Sequence, residues 1–343
     1  MTMGTLRLLI LPLLAGAAVV ARPVMGQGPG TPSVQGRITR LDPRFDRLIP
    51  ADAYLEQVID GHEWAEGPLW DRKEGCLLFS DVAKNTAYRW CEKSGEHVLL
   101  EHSGYTGSTP FPGKEPGSNG LAFDPNGHLL MAEHGDRRIS RLGADGRKTT
   151  VVDRYQGKRI NSPNDLILTP RGDLLFTDPP WGLPKWWDDE GKELPFSGVY
   201  RLRPNGDLSL LSKDFQAPNG IALSPDGKTL FLSESKPEVG AWYALPVRPD
   251  GSVGPRRKLL DAVAWSVGRK GVPDGLKLDR ESHIFGGGPG GVYVIDPDGT
   301  LLGIIETGGP ASNTVWGGDG STLYITSGSR IFRIRTSTRG AGW

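Results

Sequence analysis

Six residues with oxygen-bearing side chains stand at the same point of a repeated sequence pattern. Each lies at the start of a short apolar run, which leads through a turn into a second apolar run. These lead residues are Glu66, Asn119, Asn164, Asn219, Asp274 and Asn313. Carboxylate and amide oxygens are hard ligands, which suit Ca²⁺, Mg²⁺ or Mn²⁺ better than metals that prefer thiolates. If the lead residues face a common point, they predict a site for one divalent ion, balanced by the two carboxylates.

The alternative interpretation of the lead residues is local. Asn-Gly and Asp-Gly are common turn dipeptides, and Gly follows Asn119, Asn219 and Asp274. Turn formation explains six lead residues in register less well than a shared ring does. It explains Glu66 least, because Glu has no turn preference.

The repeat also indicates the elements that would position these residues. Consecutive lead residues are separated by roughly 40 to 55 positions with several short apolar runs between them, a spacing typical of propeller blades. No repeat shows the 3.6-residue apolar period of a helical solenoid. We therefore predict an all-β fold, a six-bladed β-propeller over residues 51–337, in which the first strand of every blade faces a central channel that holds the metal site.

Segments outside the repeats have their own predicted roles. A strand over residues 53–59 should pair with the sixth blade and close the ring, as propellers commonly do. Two long insertions, Ser103–Pro116 and Trp181–Phe196, should form walls of the binding site, with Trp181 in contact with the substrate. Plain loop filler is the alternative for both insertions.

Composition argues against nucleic acid as a partner. The 343 residues include 40 basic and 40 acidic side chains, so the net charge is zero. No basic stripe interrupts this balance, whereas nucleic-acid binding requires one.

The N-terminus has the pattern of an export signal. Arg7 precedes an apolar run from Leu8 to Val20, and small residues before Gln27 offer a cleavage site. We predict a signal peptide over residues 1–26, a flexible lead-in over residues 27–50, and a periplasmic or secreted protein without membrane association after cleavage. An uncleaved membrane anchor is the alternative.

Cys76 and Cys91 are the two cysteines of the chain. They lie on consecutive apolar runs, and a hairpin turning at Ala83 and Lys84 places them opposite each other. Opposed residues of a non-hydrogen-bonded pair have Cα atoms about 4.5 Å apart, within disulfide reach. In an exported chain this geometry predicts a Cys76–Cys91 disulfide, with two free thiols as the alternative.

The chain resembles the family of regucalcin (senescence marker protein 30) and bacterial gluconolactonases. The resemblance spans about residues 55–335 and rests on motifs in blade order: Glu66-Gly-Pro-Leu-Trp70, Ser162-Pro-Asn-Asp-Leu166, Phe176-Thr-Asp-Pro-Pro180, Ala217-Pro-Asn-Gly220, Pro273-Asp-Gly275 and Leu323-Tyr-Ile-Thr326. Each motif alone is weak, but six in order at blade spacing are specific. Some members carry an Arg that contacts the sugar where this chain has Ser162.

The resemblance implies roles for particular residues. It implies a six-bladed propeller with one metal ion, expected to be Ca²⁺, with Mg²⁺, Mn²⁺ or Zn²⁺ as alternatives. The metal ligands would be Glu66, Asn164, Asn219 and Asp274, with Asn164 also close to the substrate. Asp274 would in addition be the general base, and a water activated at the ion is the alternative. The turn at His134 also resembles bacterial members, so His134 is predicted to contact the substrate; a structural histidine is the alternative.

The implied reaction is hydrolysis of a lactone, such as a sugar lactone opened to its aldonic acid. Asn119 would touch substrate or water. Hydrolysis of phosphotriesters or other esters at the same metal is an enzymatic alternative, and a metal-stabilised binding propeller is a non-enzymatic one. The expected partner is a small-molecule lactone, and the expected assembly is a monomer or a weak dimer.

Overall fold

The repeats fold into six antiparallel sheets, five of four strands and one of five, arranged around a central channel. The computed structural model describes Met1 and residues 36–343. From the channel outward, blade one comprises Ala65–Asp71, Cys76–Asp81, Thr86–Cys91 and Gly95–Glu101, and blade two comprises Ser118–Phe123, Leu129–Glu133, Arg138–Leu142 and Lys148–Val152. Blade three comprises Leu166–Leu168, Leu174–Asp178, Gly198–Leu202 and Leu208–Ser212, and blade four comprises Pro218–Leu223, Thr229–Glu234, Ala241–Pro246 and Arg257–Asp261.

The last two blades each recruit a strand from the N-terminal part of the chain. Blade five comprises Leu276–Leu278, Ile284–Gly288, Gly291–Ile295, Leu301–Glu306 and, at its outer edge, Arg37–Arg40; blade six comprises Asn313–Gly317, Thr322–Ser327, Arg330–Arg335 and Glu56–Ile59. Pairing of Glu56–Ile59 with blade six closes the ring, as predicted. The remaining elements of the described chain are short: a hairpin of Arg154–Tyr155 with Lys158–Arg159, and 3₁₀ turns at Pro43–Arg47, Trp186–Asp188, Pro237–Val239 and Val263–Trp265.

Within the described residues, apolar side chains gather into six clusters, one at each interface between neighbouring blades. The strand Cys76–Asp81 shows how the sequence produces this arrangement. Leu77 and Phe79 pack towards blade six, whereas Leu78 packs towards blade two, because successive side chains of a strand point to opposite faces. A near-continuous apolar run is therefore what a strand covered on both faces requires.

The lead-in differs from the flexible segment predicted over residues 27–50. From Arg37 onward it is part of the fold: Arg37–Arg40 pairs with the outer strand of blade five. Phe45, Leu48 and Ile49 are buried in the cluster between blades five and six. The polar and glycine-rich composition of this segment suggested flexibility. Burial of these three apolar side chains in the cluster is favourable, however, because it removes apolar surface from water. The predicted signal peptide, residues 1–26, lies outside the described residues apart from Met1.

Register confirms the prediction for the two cysteines. Cys76 and Cys91 are paired across the strands Cys76–Asp81 and Thr86–Cys91. They form a disulfide, and their Cα atoms are 4.5 Å apart. Over the described part of the chain, no helix is both long and apolar enough to cross a membrane.

Candidate metal and active site

Four lead residues lie on the innermost strand of their blade, and Asn164 and Asp274 lie two positions before it. The inner strands contact one another in sequence around the channel, and the strand Asn313–Gly317 contacts Ala65–Asp71 to complete the circle. Asp274 is partly exposed, and the other lead residues are buried. The structure therefore brings the lead residues to one ring, and the interpretation of them as turn formers is wrong.

The glycine that follows a lead residue serves close packing between blades. A Cβ atom on Gly67 would lie 1.8 Å from the carbonyl oxygen of Asn119, and one on Gly220 would lie 2.5 Å from that of Asp274. Gly275 packs likewise against the side chain of Asn313. Only glycine allows neighbouring inner strands to approach this closely, which explains the Asn-Gly and Asp-Gly dipeptides without any turn.

Hydroxyl groups on the second strands hold the backbone of the ring in place. Thr177 Oγ1 donates to the carbonyl oxygen of Asn219 over 2.7 Å, and Ser233 Oγ donates to that of Asp274 over 2.7 Å. Ser80 Oγ reaches the Asn119 carbonyl oxygen at 3.0 Å. Each hydroxyl belongs to the blade that precedes the lead residue it contacts. The position of these lead residues is therefore held by hydrogen bonds from the neighbouring blade. Sequence reasoning missed these hydroxyls, although they recur at one point of the repeat.

The two carboxyl groups of the ring influence each other. Burial raises the pKa of Asp274 well above its ordinary value, and repulsion from Glu66 and then Glu115 raises it further. Burial also raises the pKa of Glu66, helped by repulsion from Asp165 and Glu115. The neighbouring Asn219 side chain acts in the opposite direction and lowers the pKa of Asp274. Burial is the larger cause in both cases, and nearby negative charge adds to it.

The amides of the ring differ in their surroundings. Asn313 Nδ2 donates to Glu66 Oε2 over 3.4 Å. Asn119 Oδ1 is buried without a hydrogen-bond partner in the described structure, which is costly unless a ligand supplies one. Asn164 is as fully buried as Asn119, and its backbone carbonyl oxygen accepts a hydrogen bond from Gly120 N over 2.8 Å.

One charged residue near the ring was not foreseen from the sequence. Glu115, at the end of the insertion Ser103–Pro116, places Oε2 3.1 Å from Nδ1 of His134. This is an ion-pair distance, although the two groups are not aligned as a hydrogen bond. The Glu115 side chain is 32% exposed, whereas the His134 side chain is fully buried. The role of His134 as a substrate contact stays a prediction; the structure places it against Glu115.

The second insertion begins beside the same histidine. A Cβ atom on Gly182 would lie 2.6 Å from Cβ of His134 and 2.8 Å from Cβ of Ser162, so Trp181 starts its loop next to both. The Trp181 ring meets Trp187 and Trp186 edge to face, with centroids 4.9 and 5.5 Å away. The role of Trp181 as a substrate contact also stays a prediction.

The donor set fits a divalent ion. Among residues 36–343, no three His, Cys, Asp or Glu side chains gather closely enough to hold a metal by themselves, so amide oxygens must complete the shell. Glu66 and Asp274 supply the two charges, Asn164 and Asn219 lie on the same ring, and the buried Asn119 Oδ1 lacks a partner. A hard cation with oxygen ligands matches this set.

The architecture defines a class: six-bladed propellers whose channel carries a mixed ring of carboxylates and amides. Comparison with known proteins places the chain within that class. The family described as "SMP-30/Gluconolactonase/LRE-like region" matches residues 64–329. The chain belongs to this family.

Individual relatives agree with the family assignment. A gluconolactonase of Zymomonas mobilis is 36% identical over 316 residues, which cover 90% of this chain and 88% of that protein. The structure of a gluconolactonase from Xanthomonas campestris, with 34% identity, has a TM-score of 0.79 over 91% of this chain and 99% of that one. A structure of regucalcin from Agrobacterium tumefaciens, described as a calcium-binding protein, shares the fold with 21% identity and a TM-score of 0.64, over 82% of this chain and 92% of that one.

Proposed function

We propose that this protein is a hydrolase that opens the ring of a lactone, a sugar lactone in the first instance, in the presence of a divalent ion. The observation that carries the proposal is the ring in the channel: two carboxylates and the amides of Asn119, Asn164 and Asn219 at equivalent points of neighbouring blades. Relatives named as gluconolactonases cover nearly the whole propeller and support the substrate class.

The residues that would hold the ion are Glu66, Asn164, Asn219 and Asp274. A bound Ca²⁺ would supply a positive centre that polarises the lactone carbonyl and acidifies water. The described residues supply position: the blade hydroxyls fix the ring backbone, and the Asn219 side chain lies beside Asp274. Asn119, with its unpartnered Oδ1, is placed to accept a hydrogen bond from substrate or water. Preorganised groups of this kind need no rearrangement during the reaction.

An assay of lactone hydrolysis before and after metal removal tests the proposal. The purified chain is stripped with EDTA, and proton release from glucono- and pentonolactones is followed before and after Ca²⁺, Mg²⁺, Mn²⁺ or Zn²⁺ is restored. We expect activity to disappear with the metal and to return with one of these ions. Activity that survives complete chelation would contradict metal dependence. If the protein hydrolyses a phosphotriester but no lactone, its substrates are phosphotriesters instead. If it hydrolyses neither, the protein is better described as a binding propeller without catalytic activity.

We also propose that the protein is exported. The predicted signal over residues 1–26 and the Cys76–Cys91 disulfide support this, because disulfides persist in oxidising compartments. N-terminal sequencing of fractionated cells should find a mature chain beginning near Gln27 in the periplasm or the medium. An intact Met1 in the cytoplasmic fraction would reject the proposal.

A further inference from the structure

Glu115 is a carboxylate near the ring that the proposed set of metal ligands does not explain. Asp165 is another, but it is paired with Lys277 Nζ at 3.4 Å. Glu115 comes just before the innermost strand Ser118–Phe123, which carries Asn119 of the ring.

Burial is the main cause of the raised pKa of Glu66 and Asp274, and the charge of Glu115 adds to it after that of Asp165 on Glu66 and that of Glu66 on Asp274. Each blade already contributes its lead residue to the ring, and Glu115 is a further carboxylate brought in by an insertion. A carboxylate bound to a cation loses affinity for a proton, so a base outside the set of ligands suits the reaction better than one within it.

The insertion that carries Glu115 is held firmly at its base. Asn85 Oδ1 accepts from the backbone nitrogens of Gly104 and Tyr105 at 2.8 and 3.0 Å. Asn85 Nδ2 donates to the Tyr105 carbonyl oxygen at 2.8 Å. At the other end, Gly117 N donates to the carbonyl oxygen of Val82 over 2.8 Å. These bonds tie both ends of the insertion to the loop that connects the second and third strands of blade one, so Glu115 does not depend on a long loose loop for its position.

His134 lies against the carboxylate itself. Its ring is fully buried, and Gly182 and Ser162 pack beside it. The backbone nitrogen of His134 donates to Gly117 O over 3.1 Å, which links the histidine to the base of the insertion. Because Nδ1 lies 3.1 Å from Oε2 of Glu115, this contact restrains one carboxylate oxygen. The partly exposed carboxylate can still meet a water molecule.

We propose that Glu115 is the general base of the hydrolysis and that His134 is the residue that positions it. This inference rests on the proposed lactone hydrolysis. The water oxygen forms a bond to the lactone carbonyl carbon, the π electrons move to the carbonyl oxygen, and the water proton passes to Glu115. When the bond from this carbon to the ring oxygen breaks, the carbonyl re-forms. Glu115 then returns the proton to the departing ring oxygen, and a hydroxy acid is released.

The proposed role as general base distinguishes Glu115 from Asp274 in the effect that each substitution should have. Asp274 belongs to the donor set for the ion, so its removal should remove the metal. Glu115 should be dispensable for metal binding and required for turnover. A general base contributes a factor of about 100 to 10,000 to the rate.

The decisive variant is Glu115→Gln, compared with the wild-type chain in metal-loaded form and with Glu281→Gln as control. Glu281 is an exposed carboxylate on the turn between Leu276–Leu278 and Ile284–Gly288, outside both insertions and the ring. We expect Glu115→Gln to lose at least about 100-fold in kcat, with unchanged KM and full metal content, and Glu281→Gln to behave as wild type. In Glu115→Ala, added formate should restore part of the rate in proportion to its concentration, because it can accept the proton in the vacated space.

A double-mutant comparison tests the part assigned to His134. If His134 acts through Glu115, His134→Asn should lower kcat in the wild-type background and cost little more in the Glu115→Gln background. Damage to the fold would instead lower kcat in both backgrounds. Additive losses would overturn the positioning role.

Three results would overturn the proposal, and they are distinguishable. Wild-type kcat in Glu115→Gln would show that the proton goes elsewhere. Loss of bound metal in that variant would make Glu115 a ligand. A wild-type protein that opens no lactone in the same assay would reject the proposed function, and with it the reaction that Glu115 is proposed to serve.

Discussion

The amide of Asn313 can face Glu66 in only one orientation. Asn313 Oδ1 accepts hydrogen bonds from Thr314 N at 2.8 Å and from Lys277 Nζ at 3.3 Å. The nitrogen Nδ2 is therefore turned towards Glu66 Oε2, 3.4 Å away, and Gly67 N donates to the same oxygen at 2.8 Å. Both donors thus restrain Oε2, and Oε1 is the oxygen left to face a ligand. Asn313 therefore orients the carboxylate that we propose as a metal ligand, across the boundary between blades six and one.

Replacing this side chain should weaken metal binding without abolishing the reaction. Asn313→Leu keeps the approximate volume and removes the donor to Glu66. Residues that orient metal ligands typically contribute a factor of roughly 10 to 100 in affinity, so we expect a loss of that size in a calorimetric titration of the stripped protein. Turnover should recover at saturating metal. The control is Asn126→Leu on an exposed turn, and equal affinity of the two variants would contradict the orienting role.

The features that the sequence could predict are those that recur. The repeat spacing fixes six blades, and position within the repeat places Glu66 and Asp274 on one ring, because a hairpin sheet sets register locally. The same local register pairs Cys76 with Cys91. Closure of the ring by Glu56–Ile59 could also be predicted, because this strand has no neighbouring run in the sequence with which to pair and must pair with the last blade.

Features whose position depends on contacts between distant parts of the chain could not be predicted. Glu115 lies in an insertion without periodicity, and no local signal distinguishes it from the neighbouring Lys114. Its place near Asp274 depends on contacts with Asn85 and His134, which are distant in sequence. Phe45 was missed for a similar reason, because its burial depends on the cluster between two blades at the other end of the chain.

Removal of the disulfide should destabilise blade one. The bridge closes a loop with a sequence separation of 15 residues, for which chain entropy in the unfolded state gives about 3 kcal/mol. We expect the double variant Cys76→Ser/Cys91→Ser to lower Tm by roughly 5 °C in differential scanning calorimetry. Lactone turnover at room temperature should be unaffected, because neither cysteine belongs to the ring. Addition of a reductant should lower Tm of the wild type and leave that of the variant unchanged.

A buried ion-pair network in the same blade should make stability depend on pH. His62 Nδ1 lies 3.3 Å from Asp81 Oδ2, and Nε2 lies 3.0 Å from Glu96 Oε2. Burial opposes the charged ring, but the hydrogen bonds with Asp81 and then Glu96 outweigh it and raise the pKa of His62 to about 9. The stabilisation is therefore complete below about pH 6.5, the value for an unfolded chain. It is lost as the pH rises through 9.

Comparison of Tm for wild type and His62→Gln between pH 6 and 10 checks this sign. The wild type should be more stable at pH 6, and the difference in Tm should shrink as the pH approaches 10. His97→Gln, at an exposed position, is the control and should leave the pH dependence as in the wild type. A difference that grows with pH would mean that His62 is neutral in the folded protein.

Substitution of Asp274 tests the ring as a whole. Asp274→Asn keeps the volume and removes one of the two negative charges that face the proposed ion. We expect turnover of a lactone to fall by a factor on the order of 100 or more, together with loss of bound metal measured by elemental analysis. Asn119→Ala should cost an intermediate factor, because that amide is placed to touch substrate or water. Asn313→Ala should cost least at saturating metal, because it touches Glu66 and not the ion.

The combination of turnover and metal content decides what Asp274 does. Loss of both identifies it as a ligand and leaves proton transfer to Glu115. Loss of turnover with full metal occupancy would make Asp274 the base, and Glu115→Gln should then retain its rate. Wild-type turnover in Asp274→Asn would place the reaction outside the ring altogether. The two carboxylates therefore give opposite results in the same pair of measurements, since a ligand controls occupancy and a base controls kcat at fixed occupancy.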